Sequence, residues 1–495
     1  MKKFKDVEKT RIQAHRDPAR DSVHRASLLV PELPGAVAEI SFVNHFLLKR
    51  GYPHVACRIT AIDAEGQRIE SRLHPIQEPR VYRFRLTGSV DAPVDTYMVE
   101  FFAADNLFIP FPAVMVNHHG PGFYNTVHAF NRVLNDVFEN DAINAQQNAE
   151  ASIDVDLSGG RDTFAVFTSG PTACRGKLAL DLATPGRTYH AALPVDRPRL
   201  TQQVVSVRET FPEVDGATSG VLKIRQPEQF LFYGRMLAGI RAPDGAFSAN
   251  HSYYDCSGLP EYWEDGRGSF RSYPHFASFD SAIRMYPVQS PGGLQITVGL
   301  RGADGKELGR AKAGCVESPG PRVLEADVAT LAREAGVAPE DVRTFVVYAD
   351  APDGGAVPCR ANHQLAYSSG GLSSSINVSL FNPNVYTPQR PGLTWAQSIV
   401  GDGIDSRFAI VGNSPEADAC DVEMAFYDES GHVGDRKLRL VPGGAVEIDP
   451  ARDLGLAGGE TRPVWVIARC PRPDVSLFGV TRDRPTGNCS GEHGF

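Results

Sequence analysis

Apolar and polar positions alternate over VACRITAI (55–62), LQITVGLR (294–301) and VEMAFYD (422–428), and each run closes on an acidic turn containing glycine. KLALDLATPGR (177–187) is a looser copy. A period of two puts one face of a strand on a core and the other in water, and Asp-Gly or Ser-Gly tips join such strands as hairpins. A second kind of segment is apolar almost throughout until it meets Pro, Gly or Asn: ISFVNHF from 40, FAVFTSGP from 164, IRMYPVQSPG from 283 and FAIVGNSPE from 408. A third reads strand, Pro/Asp/Gly turn, strand. It occurs as LFYGRMLAGIRAPDGAFSANH (231–251), TFVVYADAPDGGAVPCRANH (344–363) and VWVIARCPRPDVSLFGVTRD (464–483), with a divergent form YMVEFFAADNLFIPFPAVMVNH (97–118).

These features recur four times along 495 residues, and a chain of that length exceeds one hydrophobic core. The pattern predicts an all-β protein of four tandem antiparallel β-sandwich units, with short helices and aromatic, proline-rich linkers. The expected boundaries are a mobile basic tail at 1–25 and units at 26–130, 131–268, 269–372 and 373–495. In LEADVATLAREAG, Asp327 as N-cap and Gly336 as C-terminal stop bound one short helix, and EIDPARDLGLAGG holds the same place in the fourth unit. The link NTVHAFNRVLNDVFEN is apolar at 127, 130, 133, 134, 137 and 138, which is helical spacing. The links at 251–276 and 379–397 are rich in Tyr, Trp, Phe and Pro, which predicts a fairly rigid assembly with the links docked into grooves between sandwiches or against another subunit.

A net charge of −9 argues against non-specific nucleic-acid binding, because neutralising phosphates needs a basic surface. The first twenty-five residues are basic and lack the apolar core of a secretory signal, and no later run is long enough to span a bilayer. None of the eight cysteines forms a CxxC pair, so the expectation is free thiols in a reducing cytoplasm.

SRFAIVGNSPEADACDVEMAFYDESGHVGDRKLRLVPGGAVEIDP (406–450), followed by VWVIARCPRP (464–473), resembles the small soluble sensory-rhodopsin transducer-like proteins. The shared pattern is a strand, an Asn-small-acidic turn, an alternating strand, an acidic tip, and a basic strand headed by proline. The resemblance implies a cytoplasmic β-sandwich oligomer without catalytic or ligand residues to carry over, and four units in one chain depart from that family's single domain.

The chain has no GxSxG elbow, no phosphate-binding GxxxxGK[ST], no GxGxxG opening a helix and no HExxH. Three clusters remain as candidates. His118, His119 and His128 are imidazoles that could ligate a transition metal, although neighbours on a strand face opposite ways unless it ends at Gly120-Pro121-Gly122. Asn250, His251, Tyr254 and Asp255, with Trp263 and the acids Glu261, Glu264 and Asp265, combine a titratable ring, carboxylates and stacking surfaces as a ligand site would. Asn362 and His363, with Tyr367, form the third. The plainer explanation in each case is a strand-end turn that closes the unit's last strand, with Asn tolerating positive φ and linker aromatics acting as anchors. The equivalent place in the fourth unit reads Arg482-Asp483, so the pair is not needed for folding.

The reading that follows is a non-catalytic cytoplasmic binding or assembly protein. Its partner is a small molecule or a protein, not nucleic acid or membrane, and homo-oligomers are left open. No cofactor is expected, a transition metal being the one exception. The rival is an enzyme, a hydrolase, lyase or isomerase, using His/carboxylate or metal groups on loops near 117–128 and 251–265. A phage-like or surface assembly of stacked sandwiches is a third class.

Overall fold

The computed structural model describes residues 25–103, 112–134, 150–254, 263–264, 269–288, 293–381 and 392–495, apart from 215, 217–218, 318–319, 353–356, 359, 417 and 473. The chain divides into two compact halves, residues 1–121 with 126–255, and residues 122–125 with 256–495. Each half holds two β-sandwiches.

All four sandwiches have eight main strands joined in one order. Strands one, six, three and four form one sheet in the sequence 1-6-3-4, and strands five, two, seven and eight form the other as 5-2-7-8. In the first sandwich the strands are Arg25–Pro31, Val37–Val43, Val55–Ile62, Arg68–Ile76, Val81–Arg85, Thr96–Ala103, Met115–Gly120 and Phe123–His128. The second runs Glu150–Asp156, Asp162–Thr168, Cys174–Ala183, Thr188–Arg197, Gln202–Ser206, Ser219–Arg225, Leu237–Arg241 and Phe247–His251. The third runs Ser269–Pro274, Asp280–Met285, Leu294–Arg301, Glu307–Val316, Leu324–Asp327, Thr344–Asp350, Arg360–Ser368 and Ile376–Phe381. Its two sheets are stitched by one edge pair, Phe270↔Phe381. The fourth runs Gly392–Val400, Ile404–Gly412, Cys420–Asp428, Gly431–Leu440, Ala445–Ile448, Arg462–Cys470, Val475–Asp483 and Cys489–His493.

Two kinds of strand follow from where the sheets lie. The alternating runs are the third strands, each hairpinned to the fourth, with one face in water; residues 420–427 alternate buried and open positions. The apolar runs are the second strands, central in the 5-2-7-8 sheet. In the fourth sandwich this sheet is covered on both faces. Phe408, Ile410 and Leu477 fill its own core, whereas Ala409, Val411, Phe478 and Val480 join the core of the third sandwich. A strand buried on both faces cannot afford polar alternation, which explains the continuous run FAIV. Arg271 fastens the same junction: its guanidinium donates to Ser476 Oγ (2.7 Å), to the Ser379 carbonyl (3.2 Å) and to Asn413 Oδ1 (3.3 Å).

Each half packs its sandwiches by the same device. Gly66, at the hairpin tip after the first sandwich's third strand, has φ +74°, and a Cβ there would lie 2.6 Å from the carbonyl oxygen of Arg199. Gly305 holds the equivalent tip in the third sandwich with φ +76°, and its Cβ would collide with the carbonyl of Pro442. Arg199 and Pro442 both come just after the fourth strand of the following sandwich. Only glycine fits such a contact at positive φ.

Short helices follow the fifth strand in the second, third and fourth sandwiches, at Val207–Thr210, Val328–Glu334 and Pro450–Asp453. Asp327 is the N-cap of the middle one, accepting from the Thr330 amide at 2.6 Å, and Gly336 follows it with φ +71°. No helix among the described residues is long and apolar enough to cross a membrane.

Several expectations are corrected. The linker over 127–138 is not helical where it is described: Phe123–His128 and Asn131–Val133 are strands. Asn131–Val133 pairs with Phe232–Gly234, and the Asn131 side chain binds both the amide (2.7 Å) and the carbonyl (3.2 Å) of Leu29. The apolar positions Val133 and Leu29 meet Phe232, so docking of the linker replaces the predicted helix. The third sandwich extends past 372, because Ile376–Phe381 is its eighth strand, paired with Arg360–Ser368. Asn-His does not close each last strand. It lies within the seventh strand in the first and third sandwiches and at the end of the eighth in the second.

Candidate functional site

The histidine candidates come to different places. His118 and His119 face opposite sides of their strand, as alternation requires. His118 is fully buried, its Nε2 donates to the Pro31 carbonyl at 3.1 Å, and burial pushes its pKa down to about 4. His119 is partly open, with Nε2 3.6 Å from a carboxylate oxygen of Glu39, which also takes an ion pair from Arg83 (2.8 Å). His128 lies edge-on to His251, ring centres 4.6 Å apart. The three imidazoles are thus committed to three separate environments.

His251 is 4% exposed; Nδ1 donates to the Ser252 carbonyl (3.0 Å) and Nε2 accepts from Arg235 (3.4 Å). Asn250 turns its side-chain oxygen onto the amide of His251 at 2.7 Å. Tyr254 stands opposite Ala151, and Trp263 opposite Pro358. The side chains of Tyr254, Trp263 and Glu264, and the whole of Asp255, Glu261 and Asp265, lie outside the described residues.

In the third sandwich Asn362 accepts from Ser379 Oγ at 2.7 Å, across the strand pair. His363 is fully buried, with Nδ1 donating to the Ala361 carbonyl (3.3 Å) and its pKa pushed down by burial to about 3. A fourth Asn-His, Asn44-His45, caps the helix His45–Arg50 and shows the same habit. His45 Nδ1 donates to the Val43 carbonyl (3.2 Å), and burial lowers its pKa to about 3. His45, His118 and His363 are neutral imidazoles bonded to backbone carbonyls, the first at the start of a helix and the other two on strands.

A different set of residues lines an open cleft of about 780 Å³ in the first half. The first sandwich contributes the turn Glu32–Val37, Thr87, Val94, Asp95 and His119–Pro121; the second contributes Arg197 and Gln202–Val204. Gln202 joins the walls. Its amide donates to Asp95 Oδ2 (2.8 Å), and its side-chain nitrogen donates to the carbonyls of Glu32 (2.6 Å) and Asp95 (2.9 Å). Thr96 Oγ1 adds a bond to the Leu200 carbonyl. Gln202 Oε1 and Arg197 Nε are buried without a hydrogen-bond partner among the described residues.

The two carboxylates of the cleft are both raised above their ordinary range. For Glu32, burial outweighs the hydroxyls of Thr87 and Tyr97, which stabilise the charge; Thr87 Oγ1 lies 2.8 Å from one carboxylate oxygen. For Asp95, burial outweighs the Gln202 amide and the Arg197 guanidinium, whose Nη2 is 3.7 Å from Oδ1. Val37, Val94, Val204 and Pro121 supply apolar lining, and Val204 is 42% exposed. A partly desolvated acid beside apolar surface is suited to a cation that carries a hydrophobic flank.

Comparison with known proteins gives little to set beside this geometry. No family model matches the sequence, and no curated protein gives a significant match. Among solved structures, a "Biofilm associated protein - B domain" is similar at 9% identity over 53% of this chain and 81% of that one, with a TM-score of 0.16. A "tetra-tandem repeat in extending region of large adhesion protein" is similar at 10% identity over 95% and 98%, with a TM-score of 0.10. At those scores neither carries an argument about this chain, and neither is a sensory-rhodopsin transducer-like protein.

None of Glu32, Asp95, Arg197 or Gln202 stood out in the sequence. They are spread over residues 32–202, and no spacing announces them. Only the pairing of two sandwiches brings them together.

Proposed function

We propose that this chain is a non-catalytic binding protein of tandem β-sandwiches, and that the cleft between its first two sandwiches receives a cationic group flanked by apolar surface. The cation belongs to a small molecule or to a Lys or Arg side chain of a protein partner. Glu32 carries the reading: it is a partly buried carboxylate whose bonded partners, Thr87 and Tyr97, are neutral hydroxyls. The cleft lining holds two carboxylates, Glu32 and Asp95, and one guanidinium, Arg197, which pairs with Asp95, so an added positive charge balances the site.

The same place in the second half supports specialisation of the first. Arg343 precedes the sixth strand there, where Asp95 precedes it in the first half, and Ala445 opens the fifth strand in place of Gln202. The burial of His45, His118, His251 and His363 argues against a catalytic role for those four rings, because proton transfer needs a ring nitrogen that substrate can reach. The proposed location is the cytoplasm, where the six described cysteines, five of them buried, persist as thiols.

Calorimetric titration of the full chain with agmatine, an alkyl guanidinium, at neutral pH and low salt tests the cleft. Saturable binding is expected, weakened at least tenfold in Glu32→Gln and unchanged in Asp421→Asn, an exposed carboxylate elsewhere. Absence of saturation, or equal binding by Glu32→Gln, overturns the proposal.

A further inference from the structure

We infer that Cys420 and Cys470 form a dithiol modification site, which a small-molecule disulfide converts into an intrachain disulfide. Cys420 opens the third strand of the fourth sandwich and Cys470 closes the sixth. The ladder between these strands ends at Glu423↔Arg469, so both cysteines sit beyond its last pair at one end of the sheet. Their sulfurs are 3.2 Å apart. A disulfide needs about 2.05 Å, so the two sulfurs have to close by only about 1 Å. Among the described cysteines no other two sulfurs are in contact.

The surroundings fit a thiol that reacts and is then protected. The Arg472 amide donates to Cys470 Sγ at 3.4 Å. The Arg472 guanidinium is clamped by Asp474 (2.5 and 2.8 Å) and donates to the Asp418 carbonyl, drawing the loop before Cys420 to the segment after Cys470. Burial raises the Cys470 thiol to about 11, against the Arg472 amide, which stabilises the thiolate. The reduced pair therefore persists in a reducing solution and reacts slowly.

The chemistry balances as thiol–disulfide exchange. Cys470 gives up its proton, and its thiolate attacks one sulfur of the added disulfide, forming a mixed disulfide and expelling one thiolate. Cys420, deprotonated in turn, attacks the Cys470 sulfur, forms the Cys420–Cys470 bond and expels the second thiolate. The two protons lost by the protein end on the two released thiols. Two cysteines are oxidised and one small disulfide is reduced. The new bond closes a loop of sequence separation 50 and ties the third strand to the sixth.

The test uses the full chain, incubated below its unfolding midpoint with excess oxidised glutathione, quenched with N-ethylmaleimide and mapped without reductant. The expected result is one cross-linked peptide pair joining 420 to 470, lighter by two hydrogen atoms, reversed by dithiothreitol and accompanied by a higher thermal midpoint. In Cys420→Ser, Cys470 should instead retain one glutathione. Recovery of both residues as alkylated thiols or separate mixed disulfides in the parent chain overturns the inference, and so does a cross-link that forms only above the unfolding midpoint. The parent map decides the matter even if the variant does not fold.

Discussion

Phe478→Ala probes whether the third and fourth sandwiches share one core. Phe478 is fully buried on the seventh strand of the fourth sandwich, yet its ring belongs to the core of the third, 6.2 Å from the ring of Tyr273. Its strand neighbour Leu477 points the other way, into the fourth sandwich's own core. Truncating a buried phenylalanine costs about 3–5 kcal/mol, combining lost transfer energy with the cavity left behind. The second half has about 240 residues, and at about 2.1 cal/mol/K per residue its unfolding entropy is about 0.5 kcal/mol/K. The midpoint should therefore fall by about 6–10 °C. Scanning calorimetry measures that shift, and hydrogen exchange locates it. Protection should drop in Thr344–Asp350 of the third sandwich as well as in Arg462–Cys470 of the fourth. A loss of protection confined to the fourth sandwich, or a shift below about 2 °C, refutes the shared core.

Further outcomes follow from the buried groups and the hairpin tips. His45, His118 and His363 have folded pKa values lowered to about 3, 4 and 3, so the unfolded chain binds more protons below pH 6.5 and stability falls as pH drops through that window. A single such histidine contributes on the order of 3 kcal/mol of loss by pH 4, and urea midpoints that stay flat from pH 7 to 4 would falsify the assignment. Glu32 has the opposite sign: its folded pKa is raised, so ionising it costs stability as pH rises. Glu32→Gln keeps an acceptor for Thr87 and should melt above the parent at pH 7, with the difference fading near pH 4; a lower midpoint at pH 7 contradicts this. Gly66→Ala and Gly305→Ala each place a side chain at positive φ against a backbone carbonyl, and each should cost at least about 2 kcal/mol by denaturant unfolding. Parent-like unfolding of either would show that the tip does not dock.

Local pattern showed the sandwiches well and their frame less well. The alternating runs are third strands and the apolar runs second strands in all four copies, because exposure of one face or neither is written directly into residue type. The strand–turn–strand feature misled in one copy. TFVVYADAPDGGAVPCRANH spans the sixth and seventh strands, whereas LFYGRMLAGIRAPDGAFSANH holds the seventh and eighth of the second sandwich. Pro-Asp-Gly turns look alike whichever strands they join, so the matching Asn-His endings do not mark equivalent positions. The spacing at 127–138 read as helix because Val127, Phe130, Val133 and Leu134 are all buried, by a sheet and its neighbour instead of along one helical face. The cleft was not legible at all, since Glu32 and Gln202 meet only after two sandwiches have folded and docked.

The repeat has two levels, and that arrangement accounts for where the candidate site lies. Within each half the leading sandwich sets a hairpin glycine on the segment after the fourth strand of the next one, Gly66 on Arg199 and Gly305 on Pro442. The acidic Gly tips AEG and ADG occur in the two leading sandwiches, while the trailing ones have TPG and ESG. A tip committed to a neighbouring backbone cannot vary freely, but the walls beside it can. In the first half those walls carry Glu32, Asp95 and Gln202, held together by three bonds from one side chain and its amide. In the second half burial raises the Glu447 carboxyl against Arg407 of its own sandwich, which pairs with it at 2.9 Å, and, to a smaller extent, against the charge of Arg343 before the sixth strand. Arginine thus opposes the burial of Glu447 in one junction and of Asp95 in the other, whereas Glu32 is bonded to hydroxyls beside an open cleft.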